Sequence, residues 1–395
     1  MTNSFKMLEQ HIQQVKGTHP FGKVTGVSGL LVQCEGLKDC AMGSRCRIEV
    51  KGSGMGEAEV VGYKDGVTLV MPFGTVEGIG PGCKVFPVSH TPIFRMNNSL
   101  VGRIVNSLGE PIDGKGPLSV GGEVYQLKNP APPAGSRQPV KGKLDVGVRS
   151  VNTFVPLCQG QRMGIFSGSG VGKSVLMSMM AKYAEAEVNV IGLVGERGRE
   201  VREFVEDYLG EEGLRKSVVV VATGDEPPLM RRQAAYLTMS IAEYFRDCGF
   251  SVLLMMDSVT RFAQAQREIG LSAGEPPTTR GFTPSVFSEL PRLLERAGPG
   301  TDKGSITGIF TVLVEGGDMD EPVADAVRGI VDGHIVLTRK LAERGHFPAI
   351  DVLKSVSRMV PQCNTDEENK VINIARNFLS TYENMEELIL KKFYL

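Results

Sequence analysis

The residues best suited to chemistry lie together in Phe166-Ser167-Gly168-Ser169-Gly170-Val171-Gly172-Lys173-Ser174, just after the run Gln161-Arg162-Met163-Gly164-Ile165. A short apolar run enters a glycine-rich turn, and Lys-Ser opens an apolar-periodic segment from Val175 to Tyr183. Strand, loop and helix in that order form the context a phosphate-binding loop requires. Glycines let consecutive backbone N–H groups converge on one anion, and the following helix N-terminus adds partial positive charge. Lys173 can then reach the β- and γ-phosphates of a nucleotide, and the Ser174 hydroxyl can ligate Mg²⁺. The match to G-x-x-x-x-G-K-[ST] departs at the first glycine position, which holds Ser167. A merely flexible loop explains neither the strand before this stretch nor the helix after it.

Nucleotide hydrolysis also needs a carboxylate for the metal shell, a group that orients the attacking water, and positive charge on the transferred phosphoryl. Asp257 ends the apolar run Val252-Leu253-Leu254-Met255-Met256, and the carboxyl end of a buried strand is where open α/β sheets bind ligands. It is also placed to cap a helix beginning at Ser258, and the two roles are compatible. Glu196, in Gly195-Glu196-Arg197-Gly198-Arg199-Glu200, again follows a strand-like run. A carboxylate there can polarise a lytic water and Arg197 can meet phosphate charge, although composition alone favours a solvated charged loop. Arg358, in Asp351-Val352-Leu353-Lys354-Ser355-Val356-Ser357-Arg358, is far from the loop in sequence, and periodicity alone marks it as a surface arginine. None of the five histidines pairs with a serine or cysteine in a nucleophile pattern, which leaves a hydrolase triad unsupported.

These residues need elements to position them. Beyond the proline-rich Asn129-Pro130-Ala131-Pro132-Pro133, read as a semi-rigid linker or loop, β-rich runs occur at Val188–Val194, Ser217–Ala222, Ser251–Met256 and Ile306–Leu313. Helical segments fall between them, including an amphipathic one from Pro228 to Asp247. This βαβα order predicts an α/β fold with a doubly wound parallel sheet. Upstream, runs at Val24–Val32, Arg45–Val50, Ala58–Gly62 and Thr68–Met71 alternate with glycine turns and predict a small antiparallel barrel. The Val101–Gly114 segment marks a junction. Before the barrel, Phe5, Leu8, Ile12 and Val15 form the apolar stripe of a short amphipathic helix, either packed on its own domain or serving as a partner-binding arm. In the tail, Thr365-Asp366-Glu367-Glu368 is a capping box that opens a helix with Ile374, Phe378, Tyr382, Met385 and Leu388 on one face.

Bulk properties narrow the function. The 395 residues suit two or three domains, at about 100–200 residues each. Lys+Arg 44 against Asp+Glu 45 gives a net charge of −1, without the basic field of a nucleic-acid binder. The seven cysteines lack a C-x-x-C or histidine spacing and read as reduced thiols of a cytosolic protein without a metal site. No apolar run approaches the roughly 18 residues of a membrane span, and the N-terminus lacks the apolar core of a signal peptide. A cytoplasmic location is expected, with membrane association only through partners.

Taken together, Ser167–Ser174, Gly195-Glu196-Arg197-Gly198-Arg199-Glu200-Val201 and Asp257-Ser258-Val259-Thr260-Arg261-Phe262-Ala263 resemble the type III protein-export ATPases, relatives of the catalytic β subunit of rotary ATP synthases. The runs Gly274–Phe282, Leu290–Gly298, Glu321–Asp325 and Asp332–Leu337 extend that resemblance, which spans the barrel to about Leu388. The wording is most similar to the flagellum-specific export ATPases, with the injectisome ATPases as near neighbours. A non-catalytic nucleotide-binding ring subunit and a nucleic-acid motor are the rivals. Glu196 argues against the first and the near-zero net charge against the second.

The resemblance implies a RecA-like P-loop ATPase core with an N-terminal small β-barrel and a short C-terminal helical region. It divides the chain into 1–17 (helix), 18–90 (barrel), 91–355 (ATPase) and 356–395 (C-terminal helical region). It implies a homo-hexamer with ATP and Mg²⁺ between subunits, peripheral at the inner face of the plasma membrane. Its implied partners are a regulatory stator-like protein at the N-terminal helix, stalk and export-gate components, and export substrates with their chaperones. Carried over by motif, the loop from Ser167 through Gly168, Ser169, Gly170, Val171 and Gly172 to Lys173 and Ser174 binds nucleotide, and Ser174 and Asp257 serve the metal. Glu196 becomes the water-orienting base, Arg197 contacts the phosphoryl group, Arg358 is an arginine finger for the neighbouring subunit, and Phe347 packs on adenine. Gly317 stands where relatives commonly carry an acidic residue. Relatives also continue past Glu387-Leu388-Ile389, so the short tail here is expected to weaken coupling to export and hexamer stability.

Overall fold

The computed structural model describes residues 20–37, 40–89, 93–140, 142–314 and 317–393, the side chains of 387–393 excepted. The helix expected over 1–17 lies outside the described residues. The chain divides into two compact units, of which the larger comprises Ile93–Leu271 and Glu275–Leu395.

In the smaller unit six antiparallel strands, Gly22–Ser28, Leu31–Glu35, Arg45–Val50, Gly54–Lys64, Val67–Pro72 and Lys84–Ser89, close into a barrel. Inward residues alternate along them as a period of two requires, and Val24, Val32, Ile48, Val60, Val70 and Val85 fill the interior. The run expected as one strand from Val24 to Val32 is two, because Gly29 takes φ +58° and turns the chain back so that Ser28 pairs with Leu31. A glycine inside an apolar run was the available signal.

The larger unit is built on a nine-stranded sheet. Its strands run in the order Val356–Ser357, Gly333–Leu337, Arg162–Ser167, Ser305–Leu313, Ser251–Asp257, Val188–Glu196, Ser217–Thr223 and Ile104–Asn106, with Gly298–Pro299 paired onto Ser305–Leu313. All neighbours are parallel except Val356–Ser357 and Gly298–Pro299, which run antiparallel to their partners. Val190, Leu254, Val220 and Phe310 pack with helix Pro228–Asp247 on one face. Ile191, Met255, Ile309 and Ile165 pack with helix Lys173–Tyr183 on the other. Burial on both faces explains why these strands read as continuous apolar runs rather than alternating ones. The junction segment supplies the edge strand Ile104–Asn106, parallel to Ser217–Thr223.

One buried polar network ties helix Pro228–Asp247 to its surroundings. Arg296 is 1% exposed, and it donates to Glu243 Oε1 (2.9 Å), Glu243 Oε2 (2.7 Å), the Ser240 hydroxyl (2.9 Å) and the Leu127 carbonyl (2.7 Å). Every partner is a desolvated acceptor, so removing the guanidinium strands Glu243 as an unpaired buried charge. Arg296→Ala is expected to cost about 3–5 kcal/mol, read as a lower denaturant midpoint for this unit. An unshifted midpoint would show the network to be dispensable.

The C-terminal helix, Asp366–Phe393, starts at the expected capping box. Glu368 N–H donates to Thr365 Oγ1 (3.2 Å) and Thr365 N–H to Glu368 Oε2 (2.8 Å). Among the described residues, no helix is long and apolar enough to cross a membrane.

Candidate active site

Ser167, Glu196, Asp257 and Leu313 all stand at the carboxyl ends of parallel strands. Register brings them to one edge: Ser167 pairs with Leu313, Leu193 with Asp257, and Met256 with Phe310. The loop leaves Ser167 and turns into helix Lys173–Tyr183 at Gly172, whose φ of +92° is the left-handed conformation a side chain would oppose. Among the described residues, the N–H groups of Gly168–Gly172 donate to no backbone carbonyl, which leaves them to converge on an anion at the helix N-terminus. A Cβ at Gly172 would lie 3.6 Å from the Phe347 ring, so Phe347, 61% exposed, stands against the loop. Arg339 also reaches it, donating to the Ser169 carbonyl at 3.4 Å.

Lys173 opens the helix and extends between two carboxylates. Its Nζ lies 2.5 Å from Asp257 Oδ1 and 3.6 Å from Glu196 Oε1, with all three side chains 13% exposed or less. Burial opposes the ammonium charge, but the Asp257 and Glu196 carboxylates outweigh it and hold the Lys173 pKa above its ordinary value. For Glu196 burial prevails over its charged partner. Burial and the negative charge of Asp257 push its carboxyl up to about 7, against the pull of Lys173. Glu196 Oε1 is buried with no hydrogen bond, only the 3.6 Å ion pair to Lys173, which leaves it free to accept one from a bound water.

Asp257 is not the cap of the following helix; Ser258 Oγ accepts the Arg261 N–H instead (3.3 Å). The carboxylate is held by Thr311, whose hydroxyl donates to Oδ1 at 2.6 Å. Thr311 is fully buried in strand Ser305–Leu313, and sequence reasoning passed over it inside an apolar run. Its signal was a hydroxyl in a strand buried on both faces, where a polar group needs a partner. Both bonds to Asp257 fall on Oδ1, which leaves Oδ2 as a ligand position. With the Ser174 hydroxyl in the first helical turn it makes an oxygen-only donor set, which fits a hard divalent cation such as Mg²⁺.

Two expected site residues stand apart from this cluster. Arg197 occupies the N-cap position of helix Gly198–Glu203 without a side-chain capping bond, is 84% exposed and pairs with Glu200 at 3.6 Å. Arg358 N–H donates to the Asp332 carbonyl, and Asp332 N–H donates to that of Arg162 (2.9 and 2.8 Å). Arg358 is therefore level with the start of strand Arg162–Ser167, whose six residues span five steps of about 3.3 Å, putting it about 16 Å from the level of the loop. Gly317 has φ +81°, so an acidic residue at this position would be strained.

Comparison with known proteins agrees with this geometry. Residues 147–357 match the nucleotide-binding domain of the ATP synthase alpha/beta family, and residues 24–88 match its beta-barrel domain. The flagellum-specific ATP synthase of Caulobacter vibrioides is 58% identical over 93% of this chain and 85% of its own length. Among solved structures, the assembled ATPase EscN of the enteropathogenic E. coli type III secretion system matches with a TM-score of 0.87 at 41% identity, covering 93% of this chain and 88% of EscN. EscN in complex with its central stalk EscO matches at 0.85, again at 41% identity and with the same coverage of both chains. The chain thus belongs to the ATP synthase alpha/beta family, as an ATPase of the group that holds the flagellum-specific ATP synthases and the type III secretion ATPases.

Proposed function

We propose that this ATPase hydrolyses Mg²⁺–ATP in a homo-hexameric ring and thereby energises or regulates protein export by a flagellar type III apparatus. The observation that carries the reading is the convergence of Lys173, Glu196 and Asp257 beside a free-standing phosphate loop. Loop N–H groups and Lys173 bind the phosphates, with Lys173 exchanging Asp257 for phosphate oxygens. Ser174 and Asp257 hold Mg²⁺, which screens the phosphate charge when bound. Glu196 orients the attacking water and accepts its proton, Arg197 meets phosphoryl charge, and Phe347 stacks on adenine. Arg358, remote from its own loop, serves the site of the adjacent subunit.

The assembled state of EscN supports a ring, and the complex with EscO supports a stalk partner. Identity of 58% and 52% to two flagellar relatives against 45% to a type 3 secretion system ATPase favours flagellar over injectisome export. The amphipathic segment Phe5–Val15 suits a regulatory stator-like partner, and export-gate components, substrates and chaperones complete the machinery. A cytoplasmic enzyme peripheral at the inner membrane face follows from those partners, without any role for nucleic acid.

The pH dependence tests the base. Water activation needs the Glu196 carboxylate, and its raised pKa means the proton is lost only as pH rises through about 7. Because kcat/KM reports the free enzyme, its acid limb is expected to bend near pH 7 and to fall tenfold per unit below it. A profile flat down to pH 5 would remove Glu196 from the role.

A further inference from the structure

Asp257 is 3% exposed, and among the described residues two groups donate to its carboxylate, Lys173 Nζ and the Thr311 hydroxyl, both on Oδ1. The two donors differ in what nucleotide does to them. Lys173 opens a helix beside the phosphate loop and turns to phosphate oxygens when nucleotide binds. Thr311 lies within strand Ser305–Leu313, fully buried, and stays where the sheet holds it. Register makes the contact. Met256 pairs with Phe310, so Asp257 and Thr311 are neighbours one step further along. The strand period of two puts both on the face that Met255 and Ile309 share with helix Lys173–Tyr183. The hydroxyl has one proton and two acceptors within reach, Asp257 Oδ1 at 2.6 Å and the Met256 carbonyl at 3.4 Å. The shorter bond, to the charged acceptor, takes it. Just beyond, the Thr260 hydroxyl accepts the Leu313 N–H at 2.9 Å, which fastens the residues after Asp257 to the same strand.

We propose that Thr311 is the positioning residue of the metal site: it keeps Oδ1 engaged once Lys173 has left, so that Asp257 presents Oδ2 to the divalent cation in one orientation. The inference rests on the Mg²⁺–ATP reading and adds to it the residue that sets how tightly the metal is held. Without the hydroxyl, a departing Lys173 leaves Oδ1 buried and without a donor, which is costly. Asp257 then keeps its lysine or turns about its own side-chain bond, and either makes it a poorer ligand. Hydrogen-bond partners behind a metal ligand typically contribute about 10–100-fold in metal affinity.

Mn²⁺, which suits the same oxygen donors as Mg²⁺, is titrated into the full chain holding ADP, with protein in excess over nucleotide. Free metal is read from its electron paramagnetic resonance signal. Thr311→Val removes the hydroxyl with little change of shape, and Thr311→Ser keeps the hydroxyl while removing the methyl group. The apparent Kd for Mn²⁺ is expected to rise about 10–100-fold in Thr311→Val and to stay near the parent value in Thr311→Ser. ADP affinity in EDTA should be unchanged in both. If the valine variant does not fold, Thr311→Ala makes the same deletion. An unchanged Kd for Mn²⁺ in the variant without the hydroxyl would overturn the proposal. Equal weakening in Thr311→Ser, or lost ADP binding in EDTA, would overturn it too, because each marks Thr311 as a packing residue. A parent ADP complex that holds Mn²⁺ no more tightly than free ADP does would count against Asp257 and Ser174 as metal residues instead, so the two failures are distinguishable.

Discussion

Glu196→Gln is expected to abolish steady-state ATP hydrolysis while leaving ATP binding in place. The two side chains have the same size, so the buried site between Lys173 and Asp257 is not left with a cavity. What disappears is the group that accepts a proton from water, a contribution of about 10²–10⁴ in rate. Binding should persist or tighten, because Glu196 and Asp257 repel one another across Lys173 and the nucleotide brings further negative charge. Single-turnover hydrolysis and a fluorescent-nucleotide titration separate the two effects. Unchanged turnover would dismiss Glu196 as the base; lost binding would recast it as a structural partner of Lys173.

The second large effect is expected at a residue that touches nothing in its own site. Arg358→Ala should lower turnover by about 10³–10⁵, the range for an arginine that meets transition-state charge. The fold should tolerate the change, because the side chain's bond to the Arg328 carbonyl is exposed and long at 3.4 Å, and exposed bonds of that kind contribute little. An unaltered melting temperature with lost turnover is the expected pair of results. If turnover survives, Arg358 is the surface arginine its periodicity suggests.

Local chemistry made part of this molecule legible in its sequence. The capping box at Thr365 and Glu368 was readable because both partners lie within one turn. Helix Pro228–Asp247 was readable because proline pre-sets a first turn. Strands ending at Glu196 and Asp257 were readable because a charge punctuated each apolar run. The unread features depend on residues far apart in the chain. Thr311 matters only because strand Ser305–Leu313 lies beside Ser251–Asp257, and Arg296 because it meets Glu243 and Leu127. The position of Arg358 level with Arg162 depends on two antiparallel residues, Val356 and Ser357, at the sheet edge. Family resemblance named Arg358, but only the fold places it a strand's length from its own loop.

The central claim is that catalysis occurs at an interface to which one subunit brings Glu196 and its neighbour brings Arg358. The direct measurement is steady-state ATP turnover of Glu196→Gln and Arg358→Ala, each alone and then mixed in equal amounts. Random assembly of the mixture would build about a quarter of the interfaces from an intact Glu196 and an intact Arg358. Recovery of turnover in the mixture, from two preparations inactive alone, is the predicted result. A mixture no more active than its components would contradict the shared site.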